Sequence, residues 1–376
     1  MKKICYFINS DWYFDLHWLE RAMSAKNDGF EVCVITRFHG DRFLKKFTEL
    51  GVHCFPLPLK ERSYNVFGFV YFSVETFRIL NNLKPSLIHA VTIKPIIVGG
   101  LYSKIFSKPF VANVVGLGRV FKPVSWSGKV IKKSVCELYS YIFSNKKSRI
   151  IFEHKDDFSV FTQYVRFNSQ QAAVIDGCGV DTELYNYSVE QYYEQPVVLF
   201  ASRMLHNKGL SALINIKKSL AAAGSPFRLL VAGILVDDDP DAIKKADIER
   251  WVKEGSIEWL GTRNDIDSLI SQVNVVALPT LYPEGVPRIL IESASKGRAC
   301  IAYDSGGCKS IIINGYNGYL IPKGDEDAFC LHLRKLLDNK DLREVMGING
   351  RNLVIEKFSS SEVIAKTIKI YNTVSD

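Results

Sequence analysis

Residues 273–295 read VNVVALPTLYPEGVPRILIESAS. The opening run is short, apolar and rich in valine, the pattern of a buried strand, and it stops at about Pro279. A loop follows. Pro287 then suits the first turn of a helix, and the apolar-periodic run after it ends before Gly297. Strand, loop and helix in that order form the repeating unit of a parallel sheet covered by helices. Glu284 stands in the loop at the strand's carboxyl end, and Glu292 near the second turn of the helix. Eight helical residues turn about 80° beyond two full circles, so the two carboxylates are not stacked on one face. Both stand near a helix N-terminus, whose free N–H groups and partial positive charge suit a diphosphate. Carboxylates beside a diphosphate would accept hydrogen bonds from ribose or sugar hydroxyls. Acidic residues also stabilise helix starts without binding anything, so each Glu taken singly leaves both readings open.

The same unit recurs outward in both directions. KICYFIN (3–9), EVCVITR (31–37), HCFPLP, SLIHAVT, PFVANVV and RIIFEH read as strands, with helical patterns between most of them, the first from about Asp15 to Lys26. A polar, Tyr-rich stretch, DTELYNYSVEQYYEQP (181–196), breaks the rhythm and reads as a linker. The pattern restarts with VVLFASR (197–203), a helix from about Gly209 to Ala223, RLLVAGI, IEWLG, VNVVALP and ACIAYD. The expected fold is α/β, with two doubly wound Rossmann-like domains facing a cleft. The expected divisions are 1–180, the linker 181–196, 197–360, and a helix at 361–376 that is a candidate to pack back toward the first domain. In such sheets ligands bind beyond the carboxyl ends of the strands, so loops after strands are where chemistry is sought.

Composition sets bounds on this reading. The chain has 376 residues, 47% hydrophobic and 23% charged, enough for two buried cores. The apolar run at the N-terminus stops at Asn9, too short for a signal peptide, and no run is long enough for a spanning helix. The eight cysteines form no CxxC pair and read as reduced, buried thiols of a cytosolic protein, with no metal site expected. Asp237, Asp238 and Asp239 read as an exposed loop rather than a cation site. Net charge is +8. Residues 1–195 carry 25 Lys/Arg against 18 Asp/Glu, and residues 196–376 carry 23 against 22. The first half is thus the part suited to an anionic partner, although ordinary solubility charge has the same look. In residues 104–149, ten cations, among them Arg119, Lys122 and Lys129, face one acidic residue, Glu137, with Phe121, Trp126, Tyr139, Tyr141 and Phe143 interleaved. A basic, aromatic, amphipathic segment suits an anionic membrane surface. A core helix with a solvated basic face has a similar composition. Nucleic acid is not expected, because no recognised nucleic-acid motif accompanies the charge.

Charge to balance a diphosphate should come from another strand end. VVLFASR is followed by MLHNKG, which puts Arg203 and Lys208 in one loop before a helix. Arg offers a bidentate fork and Lys a point charge. Alone, such a pair is as easily a solvated loop.

Together these stretches resemble the retaining family-4 glycosyltransferases. EGVPRILIESASKGRACIAYDSGGCKSIIINGYNGYLIPKGD (284–325) is similar to that family's signature, with the E-x7-E pair, the GG and the NGYLIPKGD in order. VVLFASRMLHNKG resembles the family's phosphate loop, and DGCGVDTELY (176–185) its interdomain motif. IHAVTIKPIIVGGLYSKI and VVGLGRVF resemble the branch that builds capsule, O-antigen and lipid-linked glycans. The resemblance covers nearly the whole chain. It implies a GT-B fold, no cofactor and no catalytic metal, with cationic side chains and a helix terminus in the metal's place. It implies that Glu292 holds the ribose hydroxyls and that Glu284, catalytic, contacts the donor sugar or its phosphate with the Gly285–Val286 backbone. Arg203 and Lys208 would neutralise the leaving diphosphate, and the turn with Arg263 would flank the base. His17, Lys94 and Arg119 would lie on the acceptor side. The chain departs from the pattern where relatives have a double glycine in the first loop, a His-Arg pair where it has His17-Trp18, and a His where it has Val115-Gly116. The implied activity is transfer of a hexose or N-acetylhexosamine from a nucleotide-sugar donor, UDP before GDP, to a lipid-linked or polysaccharide acceptor at the cytoplasmic face of the plasma membrane. A sugar-nucleotide epimerase of the same fold, or a non-catalytic membrane- or glycan-binding subunit, are the alternatives.

Overall fold

The computed structural model describes residues 2–57, 66–121, 125–236, 239–283 and 285–375. Glu284, Lys122, Asp237 and Asp238 lie outside the described residues, as does the side chain of Arg119. The chain divides into two units, Met1–Cys178 with Val363–Asp376, and Gly179–Glu362.

The first unit holds β1 (Lys2–Ser10), β2 (Phe30–Arg37), β3 (His53–Pro56), β4 (Leu87–Val91), β5 (Phe110–Val114), β6 (Ser148–Phe152) and β7 (Ala172–Val174). They form one parallel sheet in the order β3-β2-β1-β4-β5-β6-β7. Side chains alternate across a strand, and here both faces are buried. Cys5 and Phe7 enter one core with Cys33, Ile88 and Phe110, while Ile4, Tyr6 and Ile8 enter the other with Val32 and Val34. That is why the strands read as continuous apolar runs rather than alternating ones. The first helical pattern is two helices, Asp11–His17 and Leu19–Asn27, broken at Trp18. Trp18 is fully buried, and the Arg21 guanidinium lies 4.4 Å over its ring.

The second unit holds β8 (Val197–Ala201), β9 (Arg228–Ala232), β10 (Glu258–Trp259), β11 (Val275–Leu278), β12 (Ala299–Tyr303) and β13 (Gly318–Ile321). The order is β10-β9-β8-β11-β12-β13, again parallel throughout. The short edge strands β7 and β13 are not among the expected strands, because neither belongs to a longer apolar run: β7 is half-buried throughout and β13 is half-buried at its centre.

The stretch read as a linker, 181–196, is instead part of the second unit. Tyr185 is buried there, Arg298 donates to the Ser188 carbonyl at 2.7 Å, and Arg343 Nε donates to Glu190 at 3.0 Å. Two buried guanidinium groups need acceptors, and the polar stretch supplies them. The helix Ser360–Ser375 joins the first unit from Val363 onward. Its Tyr371 hydroxyl lies 3.1 Å from the Tyr6 hydroxyl and 2.5 Å from His89 Nδ1, with all three residues fully buried. Burial, then the nearby Arg21, holds the His89 imidazole well below its usual range. Among the described residues no helix is long and apolar enough to cross a membrane.

At the carboxyl end of β6, Glu153 is buried and accepts from Asn113 Nδ2 at 3.2 Å. Burial outweighs the opposing Arg21 charge and pushes its carboxyl up to about 7. A carboxyl raised in this way stabilises the fold fully below the unfolded-chain value, and that contribution is lost as pH rises through 7. Between pH 4.5 and 7 the loss amounts to roughly 3 kcal/mol. Glu153→Gln should therefore gain stability over the wild type as pH is raised from 5 to 8, read as the difference between urea midpoints; a constant difference would refute the assignment. Tyr371→Phe leaves the buried Tyr6 and His89 without their shared hydroxyl and should cost about 1–3 kcal/mol, measured by thermal unfolding.

Candidate functional site

In the second unit the strand order reverses at β8, which has β9 on one side and β11 on the other. Ligands of open parallel sheets bind at such a reversal, beyond the carboxyl ends. The loops found there are those carrying Arg203, Lys208 and the YPEGVP turn.

After β8 the chain runs through exposed Arg203 into a short turn, His206–Lys208, and Gly209 starts the helix Leu210–Ala222. Gly209 has φ +86°, and a Cβ there would stand 2.0 Å from the Pro279 carbonyl oxygen. Only glycine lets the two loops meet at that distance. Leu281 N–H then donates to the Asn207 carbonyl at 2.8 Å. After β12, Gly307 presses on the other side of the same loop: a Cβ would lie 2.5 Å from the Val286 nitrogen. Lys208, Gly285, Val286 and the start of the helix Arg288–Ser295 are thereby held in one backbone framework. Lys208 is 4% exposed, and this burial sets it apart from a solvated loop lysine. Pro287 is the N-cap residue and provides no side-chain cap for the helix start. The helix ends at Ser295, with Gly297 at φ +76° just beyond.

Glu292 lies one turn into that helix and is 6% exposed. It is not a solvated helix charge. Arg288 Nε donates to Glu292 Oε1 at 2.6 Å, and the buried Tyr185 hydroxyl bonds to the same pair. Burial, then the Glu292 charge, raises the Tyr185 phenol above its usual range. The spacing Arg288–Glu292 was visible as an i,i+4 pair. Tyr185 was not, because it comes from the stretch read as a linker.

Arg263 sits in the loop after β10, at the sheet edge, and its guanidinium grips Asp265 with Nε to Oδ1 at 2.8 Å. That hydrogen bond lowers the Asp265 carboxyl below its usual range. A nucleobase contact by Arg263 would have to share the group with Asp265.

In the first unit, His17, Lys94 and Arg119 follow the carboxyl ends of β1, β4 and β5. His17 ends its helix with its ring 4.5 Å from the Tyr13 ring. Lys94 is in the first turn of Ile93–Phe106, and Arg119 opens the short turn Arg119–Phe121. Just before Lys94, Thr92 takes φ +73°, a strained conformation for a β-branched residue. A further pair on this edge, Asp11 and His39, is not visible as a pair in the sequence, because 28 positions separate them.

The basic segment 104–149 divides on folding. Phe121, Tyr139 and Phe143 are core residues, whereas Trp126 is 80% exposed and Tyr141 is exposed. The helix Val66–Leu83 adds an apolar stripe: Phe67, Val70, Tyr71 and Val74 are all exposed, Phe67 by 87%.

Residues 3–154 match the family described as Glycosyl transferase 4-like, and residues 184–353 match Glycosyl transferases group 1. An N,N'-diacetylbacillosaminyl-diphospho-undecaprenol α-1,3-N-acetylgalactosaminyltransferase of Campylobacter jejuni is 22% identical over 94% of this chain and 93% of its own. A UDP-Gal:α-D-GlcNAc-diphosphoundecaprenol α-1,3-galactosyltransferase of Escherichia coli is 23% identical over 92% of this chain and 89% of its own. The capsular polysaccharide glycosyltransferase CapM of Staphylococcus aureus is 28% identical over 51% of each chain. Among solved structures, Anabaena HepE in complex with UDP superposes with a TM-score of 0.78 at 18% identity, over 99% of this chain and 100% of that one. The two family matches together span most of the sequence, and the chain belongs to the GT-B glycosyltransferases, with a family-4-like amino-terminal half and a group 1 carboxyl-terminal half.

Proposed function

We propose that this glycosyltransferase moves a hexose or N-acetylhexosamine, with retention, from a UDP-sugar to a lipid-diphosphate-linked acceptor in surface-glycan assembly. The observation that carries the reading is the framework around Gly209 and Gly307, which joins Lys208, Gly285, Val286 and a helix start without a side-chain cap. A diphosphate placed there would meet N–H groups and cations together, which fits departure of a nucleoside diphosphate without a metal. Glu292, oriented by Arg288 and Tyr185, fits the ribose hydroxyls. The acceptor class is supported by the names of the two relatives that align over most of the chain. The mechanism at the sugar rests on Glu284 as the catalytic carboxylate.

A second part of the reading is attachment to the cytoplasmic, anionic face of a membrane. The uncharged stripe Phe67, Val70, Tyr71 and Val74, and the exposed Trp126 beside Lys129 and Lys133, fit an interface that is apolar at the lipid and cationic at its rim. A groove of about 910 Å³ includes Lys146, Arg149 and Arg166 in its lining and offers cations to headgroups.

Thermal shift in EDTA with a panel of UDP- and GDP-sugars should show one that stabilises the wild type and not Glu292→Ala. In turnover, Glu292→Ala should raise donor KM about 10- to 100-fold, the loss of a hydrogen bond to a charged group. Glu284→Ala should instead lower kcat about 100-fold or more with little change in KM. Normal kinetics in both would overturn the site, and product without acceptor would point to an epimerase. Vesicles containing phosphatidylglycerol should pellet the protein at low salt, and Phe67→Ser with Tyr71→Ser should weaken this about fivefold or more. Equal pelleting with neutral vesicles would remove the anionic part of the reading.

A further inference from the structure

At the carboxyl end of β1, Asp11 is fully buried, and its carboxylate accepts three hydrogen bonds. Oδ1 accepts from the Trp12 N–H at 2.8 Å and from His39 Nδ1 at 2.8 Å, and Oδ2 accepts from the His39 N–H at 2.8 Å. His39 lies just beyond β2, so the contact ties together the carboxyl ends of two adjacent strands. The two backbone N–H groups give one bond to each carboxylate oxygen without the imidazole. The added grip on Nδ1 fixes the ring's orientation and tautomer: a carboxylate offers only acceptors, so Nδ1 carries the hydrogen. With Nδ1 carrying that hydrogen, Nε2 is the acceptor whenever the ring is neutral. The side chain is 40% exposed, and Nε2 meets no partner among the described residues. Trp12, next to the carboxylate in the chain, is an exposed aromatic on the same edge.

An oriented imidazole that is part-exposed, on the same carboxyl-end edge as an exposed indole, where parallel sheets bind ligands, suits a pyranose. Its hydroxyl would donate to Nε2, and its apolar face would lie on the indole. The site is poorly suited to a phosphate, because the carboxylate stands directly behind the ring. The features proposed above for the donor diphosphate are all in the second unit. We propose that His39 Nε2 accepts a hydrogen bond from a hydroxyl of the acceptor sugar, that Asp11 positions the ring, and that Trp12 covers the sugar's apolar face. This rests on the glycosyltransferase reading and names the acceptor contacts it had lacked; His39 lies outside the acceptor-side set of His17, Lys94 and Arg119.

The test is steady-state transfer by the full chain. The donor is the one chosen by thermal shift, and the probe acceptors are short-chain N-acetylhexosaminyl-diphosphate lipids. His39→Ala should lower kcat/KM for the acceptor about 10- to 100-fold, mainly through KM, while the donor-induced thermal shift is kept. Trp12→Ala should act in the same direction, and His39→Gln, which keeps a side-chain acceptor, should recover part of the loss. Because the Trp12 and His39 N–H groups still hold the buried Asp11 carboxylate, His39→Ala should lower the unfolding temperature only modestly, and each donor-induced shift is read against the variant's own baseline. Asp11→Asn should raise acceptor KM and also alter the ¹⁵N shifts of the His39 ring, which a purely structural role for Asp11 would not require. Wild-type transfer with acceptor kinetics unchanged in His39→Ala and Trp12→Ala would overturn this inference alone. A wild type that binds a nucleotide sugar and transfers to none of the acceptors would overturn the functional reading and the inference with it.

Discussion

A parallel sheet buried on both faces has nowhere to do chemistry except at the ends of its strands. Both units of this chain are built on that constraint. Their strands are mostly apolar where they pack, with Ile4, Tyr6 and Ile8 on one side of β1 and Cys5 and Phe7 on the other. Functional groups are therefore displaced into the loops that follow. The loops can form a site only if they approach one another closely. In the second unit that approach depends on two glycines, Gly209 against Pro279 and Gly307 against Val286, where a methyl group would overlap backbone atoms. The framework sets where Lys208 and the helix start at Arg288 can stand.

Buried charge imposes the second layer of order. Arg298 and Arg343 lie inside the second unit, and each must find oxygen acceptors. Ser188 and Glu190 supply them, which draws the stretch 181–196 onto the unit's surface. Tyr185 is carried in with it and reaches the Arg288–Glu292 pair. A structural requirement for satisfied guanidinium groups thus also shapes the surroundings of a candidate donor-binding carboxylate. The first unit shows the same economy at Asp11, whose buried carboxylate ties β1 to β2 and orients an imidazole.

The basic, aromatic segment shows how composition and exposure part company. Its aromatics look alike in sequence, yet Tyr139 and Phe143 fill the core while Trp126 and Tyr141 face out. The helix Val66–Leu83 carries the converse lesson. Phe72, Thr76 and Leu80 pack inward while Phe67, Val70, Tyr71 and Val74 are exposed, a division that the helix's apolar composition does not show.

The order of most strands and helices, the two-unit plan, the parallel sheets, the loop bearing Arg203 and Lys208 and the helix bearing Glu292 were legible in the amino-acid sequence. They depend on local periodicity, on turn residues and on motifs of fixed spacing, which a linear reading can follow. The edge strands β7 and β13 were lost because neither sits in a longer apolar run. The membership of 181–196 in the second unit, the company of Glu292 and the Asp11–His39 pair were decided only by tertiary structure. In each case the partners are far apart along the chain, and the reason they meet is the need of a buried charge or dipole for a hydrogen bond. That need has no sequence period, and it can be seen only when the cores have closed around it.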